Sequence, residues 1–314
     1  MTGGVAPPPR AWPHHWLAAV LGLLFAPVAM LYVGAPRWAA GYLSLMVGAA
    51  FASYASGGGA AVDGALSVLS LCVAIGGAVQ AYRRAGRIAP NDRRPRSSRW
   101  PAIAASCAVL GLCGVAIRGF AVEPFRNASD SMFPAFPKGA QLVAHKWGYG
   151  RYDAYGIRLL HTTPWKTPQR GQVVVFAYPL DPATRYVKRL VGVPGDLLEY
   201  RDKTLRINGV AAAVRTAGRS TGPSGEAVEL VEEVLDGRHY VTAIRPDRPG
   251  AAAFDPHGAS DRDGCATLSD GIRCTLPAGR YFVLGDHRDA SADSRLFGTV
   301  PEDHLIGVVD DPRD

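Results

Sequence analysis

The sequence predicts a multi-pass α-helical membrane region followed by a mainly β domain, and three observations carry that prediction. Long runs rich in Ala, Leu, Val and Gly, with few charges inside them, fill the first third of the 314 residues. A cluster of arginines between Arg83 and Arg99 interrupts those runs. Beyond Phe120 the apolar runs shorten to β-branched and aromatic stretches separated by Gly and Pro, the pattern of strands and turns. A chain of this length holds a membrane region and one globular domain of ordinary size.

Residues 1–15 form a short, proline-rich tail ending in Pro13-His14-His15. The first apolar segment, 16–34, is long enough to cross a bilayer as a helix at about 1.5 Å per residue. Ala35-Pro36-Arg37-Trp38 breaks it, and 39–56 is the second segment. A Gly-rich turn carrying Asp63 leads to the third, 64–82. An Arg-rich loop, 83–100, precedes the fourth and shortest, 101–117, which Arg118 closes. The expected organisation is a membrane domain over 1–118 with about four transmembrane helices, then a second domain over 119–314.

The arginines set the orientation. Arg83, Arg84, Arg87, Arg93, Arg94, Arg96 and Arg99 stand against a single acid, Asp92. Cationic loops are retained in the cytoplasm, so 83–100 is expected inside and the second domain outside. Were the first segment instead a cleaved signal peptide ending at Val33-Gly34-Ala35, three crossings would remain and the arginines would face outward, against that rule. The net charge of +7 does not imply nucleic acid, because much of the excess lies in this one run without a stacking platform or a nucleic-acid fold signature. A lipid bilayer is the expected partner, and nothing in the sequence bears on oligomeric state.

In the second domain the stretches 141–144, 172–177, 186–191, 197–207 and 280–284 read as strands. Few segments have helical periodicity, so the sheet is expected to be antiparallel. The stretch 211–263, rich in Gly, Pro, Arg and Asp with a strand-like 226–234, reads as an insertion of loops and hairpins. Cys72, Cys107 and Cys113 lie in apolar runs and act as small hydrophobes. Cys265 and Cys274 can pair if their domain faces an oxidising compartment. Their spacing is not that of a zinc site, so no metal and no cofactor is expected.

Asn127-Ala128-Ser129-Asp130-Ser131-Met132-Phe133-Pro134 follows the last apolar run closely, which puts Ser131 just outside a membrane. Alone, Ser-Met-x-Pro is a polar turn punctuated by proline. A serine hydroxyl becomes a useful nucleophile only with a base to take its proton. His145, His161, His239, His257, His287 and His304 lie in this domain, but none sits in a nucleophile elbow and no Gly-x-Ser-x-Gly occurs. Among Lys138, Lys146, Lys166, Lys188 and Lys203, Lys188 is the one on an apolar strand. It is either an exposed alternate residue or one turned inward, and spacing alone favours exposure.

Two more stretches change that balance. Tyr186-Val187-Lys188-Arg189 runs on to Val191-Gly192-Val193-Pro194-Gly195-Asp196, and Gly285-Asp286-His287-Arg288-Asp289-Ala290-Ser291-Ala292-Asp293-Ser294-Arg295 follows later. In this order, after a membrane anchor, the three resemble the signature boxes of the bacterial type I signal peptidases, or leader peptidases, over about 120–309. The resemblance implies a catalytic domain of signal-peptidase type on the outer, periplasmic face of a bacterial cytoplasmic membrane. It implies Ser131 as nucleophile and Lys188 as general base, a Ser/Lys variant of the triad logic that needs a neutral amine. Ser129 and the Ser131 N–H match the oxyanion hole, and Ser291 matches a serine that orients the lysine. Arg189 with Asp286, and Asp293 with Arg295, match supporting ion pairs. The implied substrate is a secretory preprotein, its cleaved segment extended along an edge strand near Met132, Phe136, Tyr186 and Val187. Small residues, typically Ala, are implied one and three places before the cut.

The chain departs from the family pattern at four places. Ala128 stands for a proline, Asp130 for a residue that is often Gly, Gly139-Ala140 for Gly-Asp, and Ala290 for Asn, while Lys146, Tyr149 and Gly150 match. A carboxylate at Asp130 is expected to raise the pKa of Lys188 or to alter substrate choice. A conjugative-transfer maturation peptidase with the same dyad and few clients is an alternative. So is an inactive membrane scaffold, which predicts erosion of Ser131 or Lys188, and neither is eroded.

Overall fold

The computed structural model describes residues 12–55, 60–89, 92–154, 156–248 and 264–310. It divides into two compact units, Met1–Gly114 and Val115–Asp314. The first unit holds helices α1 (His15–Leu24), α2 (Ala26–Tyr32), α3 (Pro36–Ala55) and α4 (Ala60–Ala85). Helix α5 (Trp100–Ala116) begins there and continues into a π turn, Ile117–Ala121.

The first apolar segment, expected as one crossing over 16–34, is two helices. Pro27 sits at the start of α2, where its missing N–H and its ring end the ladder of α1. Phe25 joins them in an extended conformation, φ −162° and ψ 97°. With 10 residues, α1 reaches only about 15 Å, roughly half a hydrocarbon core. Asp63, expected in a turn, lies within α4. Small residues let the helices touch: a Cβ on Gly22 would overlap the backbone of Ala78, and one on Gly77 would overlap Ala26. Arginines of the expected cytoplasmic loop lie over aromatic rings, Arg84 on Trp38 and Arg94 on Trp12. Among the described residues, two helical stretches are long and apolar enough to cross a membrane, Gly64–Ala85 and Trp100–Ala121.

The second unit is mainly β. In chain order its strands are β1 (Val122–Arg126), β2 (Gln141–His145), β3 (Arg151–Ala154), β4 (Ile157–His161), β5 (Val173–Tyr178), β6 (Asp181–Gly192), β7 (Leu197–Arg201), β8 (Thr204–Ile207) and β9 (Val210–Ala211). There follow β10 (Ala213–Thr221), β11 (Ala227–Leu235), β12 (Arg238–Ile244), β13 (Cys265–Leu268), β14 (Gly271–Thr275), β15 (Arg280–Leu284), the short helix α6 (Ser294–Phe297), β16 (Val300–Pro301) and β17 (Leu305–Val309). A seven-stranded sheet runs β1-β2-β17-β5-β6-β15-β16 and a five-stranded one β13-β14-β7-β8-β9. The strands β10-β11-β12 form a third sheet, and β3 with β4 a two-stranded one. The named strands pair antiparallel throughout.

Strand β5 shows why the large sheet is the centre of the domain. Val173 and Val175 pack with Met132, Leu142 and Ile306, while Val174 and Phe176 pack with Leu190, Val283 and Leu305 on the opposite side. A strand covered on both faces reads as an unbroken apolar run, as 173–177 does. The stretch 197–207, expected as one strand, is the hairpin β7–β8. Asp202 and Lys203 turn it with φ of 43° and 63°, the left-handed pair that a two-residue hairpin loop needs. Of the expected insertion 211–263, the part 213–244 is the three-stranded sheet and 249–263 lies outside the described residues.

A buried charge cluster fixes the entry to β1. Lys146 Nζ reaches Glu123 Oε2 at 2.9 Å and Asp153 Oδ1 at 3.1 Å, and donates to the Asp153 carbonyl. Arg185 of β6 adds bonds to Glu123 at 2.7 Å and Asp153 at 3.1 Å. Opposite charges with several hydrogen bonds each can remain buried where single ones would not.

Cys265 and Cys274 face each other in register across β13–β14 and are joined as a disulfide. A loop closed over 9 positions is expected to restrict the unfolded chain by about 2.5 kcal/mol. Replacing both cysteines by Ala should therefore lower the thermal midpoint of the detergent-solubilised chain by several degrees, read by circular dichroism.

Candidate active site

Strand β1 ends at Arg126, and the chain returns to β2 through a loop over 127–140. Met132 and Phe136 form a bridge within it, Phe136 N–H donating to the Met132 carbonyl at 2.8 Å, and both side chains are buried in the core beside Leu142 and Val175. Those two anchors hold the turn between them against the sheet. Ser131 is 8% exposed, and its Oγ lies 3.0 Å from the Oγ of Ser129, which is exposed.

Lys188 of β6 is turned inward, 4% exposed, where alternation alone favoured solvent. The strand passes from exposed to wholly buried along its length, so both faces are covered by the time it reaches Lys188. Its Nζ donates to Ser131 Oγ at 2.6 Å and to the Val187 carbonyl at 3.0 Å. Burial pushes the amine down to a pKa of about 8, against an upward pull from Asp293 and Asp286 and with a further downward push from Arg295. An amine in that range loses its proton near neutrality and can then accept the hydroxyl proton of Ser131.

The stretch 285–295 wraps behind the pair. Arg189 grips Asp286 with two bonds of 2.7 Å, and Arg295 grips Asp293 with two of 2.8 Å. Burial opposes the charge on Asp293, but Arg295, the Gly285 N–H and Ser291 outweigh it and keep the carboxyl below its ordinary pKa. Asp293 also caps α6, accepting from Arg295 N–H. Gly285 is needed where it stands: a Cβ there would overlap the Ser291 hydroxyl and come within 2.6 Å of the Ser131 carbonyl oxygen.

Comparison with known proteins gives the family. Residues 99–312 match the family model described as signal peptidase, peptidase S26. The chain belongs to the S26 signal peptidase family. It is similar to signal peptidase I of Pseudomonas aeruginosa, 35% identical over 208 residues, covering 62% of this chain and 62% of that protein. The Pseudomonas fluorescens signal peptidase I is 36% identical over 61% of this chain and 64% of its own length, and that of Rickettsia akari 30% over 64% and 74%. The matches thus span under two thirds of the two Pseudomonas relatives. A crystal structure of signal peptidase I from Enterococcus faecalis V583 is 29% identical, covering 46% of this chain and 97% of its own, at a TM-score of 0.25, a superposition too loose to bear on the fold.

In this S26 chain several expected residues sit otherwise than the pattern implied. Ser291 makes no hydrogen bond to Lys188: its buried hydroxyl lies against Gly285, and its dipole acts on Asp293. Asp130 is not among the acids that raise the pKa of Lys188, which are Asp293 and Asp286; its carboxylate accepts the Lys138 N–H at 3.1 Å. Of the expected substrate contacts, Met132 and Phe136 are buried in the core. Tyr186 and Val187 keep partial exposure, with Tyr186 stacked on Tyr178 at 4.5 Å between centroids. Lys146 belongs to the charge cluster under β1.

The candidate site also draws on residues that the sequence left without a role. The sheet β10-β11-β12 is joined to the stretch behind the pair by backbone bonds, Ala243 N–H to the Asp286 carbonyl at 2.8 Å and Arg288 N–H to the Ala243 carbonyl at 2.9 Å. Glu233 accepts from Arg288 at 2.6 Å and from the Tyr240 hydroxyl at 2.7 Å, and Arg189 lies over the Tyr240 ring at 4.3 Å. His287 donates its backbone N–H to the Ser131 carbonyl at 3.1 Å and sets its ring beside Phe133. Adjacency to Asp286 was the one sequence signal for it.

Lys188 accepts a proton only when neutral, so kcat/KM should rise with pH to a plateau with a midpoint near 8. Asp293→Asn removes a charge that raises the amine's pKa, so that midpoint should move to lower pH. Removing one partner of a buried pair strands the other, so Glu233→Ala should cost about 3–5 kcal/mol in denaturant unfolding. The double replacement Glu233→Leu with Arg288→Met should recover part of that loss, the buried Tyr240 hydroxyl still lacking its acceptor.

Proposed function

We propose that this protein is a membrane-bound serine endopeptidase that removes signal peptides from secretory preproteins, with Ser131 as nucleophile and Lys188 as general base. The observation that carries the reading is the 2.6 Å contact between a buried amine and the Ser131 hydroxyl. In the charged state the ammonium donates in that contact. Once it has lost its proton the direction reverses, and the Ser131 hydroxyl donates to the amine lone pair.

Attack of Ser131 Oγ on the scissile carbonyl transfers the hydroxyl proton to Lys188. The oxyanion is received by the Ser131 N–H and the Ser129 hydroxyl, whose Oγ lies 3.0 Å from the attacking atom. Lys188 then returns the proton to the leaving amine, and water resolves the acyl-enzyme by the same route. The substrate's extended segment adds to an open edge. Strand β15 pairs with β6 from Arg189 onward, which leaves the stretch before Lys188 unpaired on that side among the described strands. Partly exposed Val187 and Tyr186 form walls that suit small residues before the cut, as in an Ala-x-Ala site.

Anchoring follows from the apolar helices, with the β domain on the outer face of a bacterial cytoplasmic membrane and the arginines of 83–100 inside. The Cys265–Cys274 disulfide fits an oxidising compartment. Purified full-length protein in detergent micelles should cut a model preprotein after a small residue, and Ser131→Ala or Lys188→Met should lower the rate by about 10³-fold or more. Undiminished cleavage by either variant would sink the dyad. Cleavage of one special client with no action on generic preproteins would point instead to a dedicated maturation peptidase.

A further inference from the structure

We propose that Asn127 is a positioning residue for the reaction, its side-chain amide bracing the loop 127–140 from within and setting the backbone of Ser129. This rests on the reading of Ser131 and Lys188 as the reacting pair. Asn127 is 6% exposed at the point where β1 gives way to the loop. Its backbone is spent on closing the neck, N–H to the Ala140 carbonyl at 2.9 Å and carbonyl from the Gly139 N–H at 2.8 Å.

The side chain then works inward. Nδ2 donates to the Phe136 carbonyl at 2.7 Å and the Pro137 carbonyl at 3.3 Å, and two carbonyl oxygens can be met only by the NH₂ end of the amide. That fixes Oδ1 on the other side, where it accepts the Ser129 N–H at 3.4 Å in the manner of an Asx turn. One amide therefore ties the returning limb of the loop to the residue whose hydroxyl stands beside Ser131 Oγ. Asp130 braces the same loop further out through the Lys138 N–H. Ala128, between the two, is exposed and places no restraint of its own on φ.

The geometry has a chemical consequence. Ser129 is exposed and its Oγ meets Ser131 Oγ at 3.0 Å, so its hydroxyl can turn to a developing oxyanion in the right place only if its backbone is held. A small displacement of such a group costs rate without weakening binding of the ground state. Ala or Leu at 127 would also leave the Phe136 carbonyl without its donor, and Asp would set a carboxylate against two carbonyl oxygens.

The test uses full-length enzyme in detergent micelles and steady-state cleavage of a model preprotein. Asn127→Ala and Asn127→Leu should lower kcat by roughly 10- to 100-fold with KM within about threefold, and Asn127→Asp should do no better. Adding Ala128→Pro to Asn127→Ala fixes φ at 128 near about −65° and biases 127 to extended backbone, so it should return at least several-fold of the lost kcat. A residue that merely helped the fold would not be rescued in kcat in this way. Should Asn127→Ala fail to fold, Asn127→Leu, which fills a similar volume with neither donor nor acceptor, is read by the same criteria, alone and with Ala128→Pro. The proposal is overturned by a kcat within twofold of wild type, by a loss carried in KM alone, or by a double variant no faster than the single one. If wild type does not cut, or Ser131→Ala cuts equally well, the reading of the dyad has failed and this inference with it. If wild type cuts and Ser131→Ala does not, the Asn127 variants judge the inference alone.

Discussion

Everything in the β domain turns on keeping one lysine amine out of water and against one serine hydroxyl. Desolvation disfavours the ammonium form and brings Lys188 down to about 8. An exposed lysine at the same distance from Ser131 would stay charged at neutral pH and have no lone pair to offer. The two-sided cover of the seven-stranded sheet is therefore more than a core, because it supplies the low-dielectric surroundings that the proposed chemistry requires.

That cover creates an electrostatic difficulty of its own, since 285–295 brings Asp286 and Asp293 close enough to pull the amine back toward its charged form. Each acid is matched by a buried arginine with two-point geometry, which spends its charge locally and holds it in a fixed direction. The third arginine, Arg288, is matched from another sheet by Glu233. The stretch behind the active pair is thus gripped from both sides, by β6 through Arg189 and by β11 through Glu233.

The residues proposed as the reacting pair could be named from the sequence because their motifs occur in order after an apolar region, and the broad division into helices and strands was legible from periodicity. The inward turn of Lys188 could be read from the motif and not from alternation, which assumes one wet face where β6 loses its wet face partway along. The break at Phe25 had a visible cause in Pro27, which an apolar count overlooks. The bracing role of 213–244 could not be read, since Glu233 meets Arg288 across 55 positions of chain and strand patterns say nothing about long-range partners. Asn127 was hidden for the opposite reason: its contacts are local, but an Asn before a turn looks the same whether it braces a loop or merely decorates one.

The closed pairing of those arginines and acids bears on the medium as well as on the fold. Dissolved ions weaken interactions between charges that water can reach, and they have little access to partners sealed from it. Arg189, Asp286, Asp293 and Arg295 are each 2% exposed or less. The proton affinity of the amine is therefore set mainly by groups inside the protein, and added salt should shift it far less than it would shift that of a surface lysine.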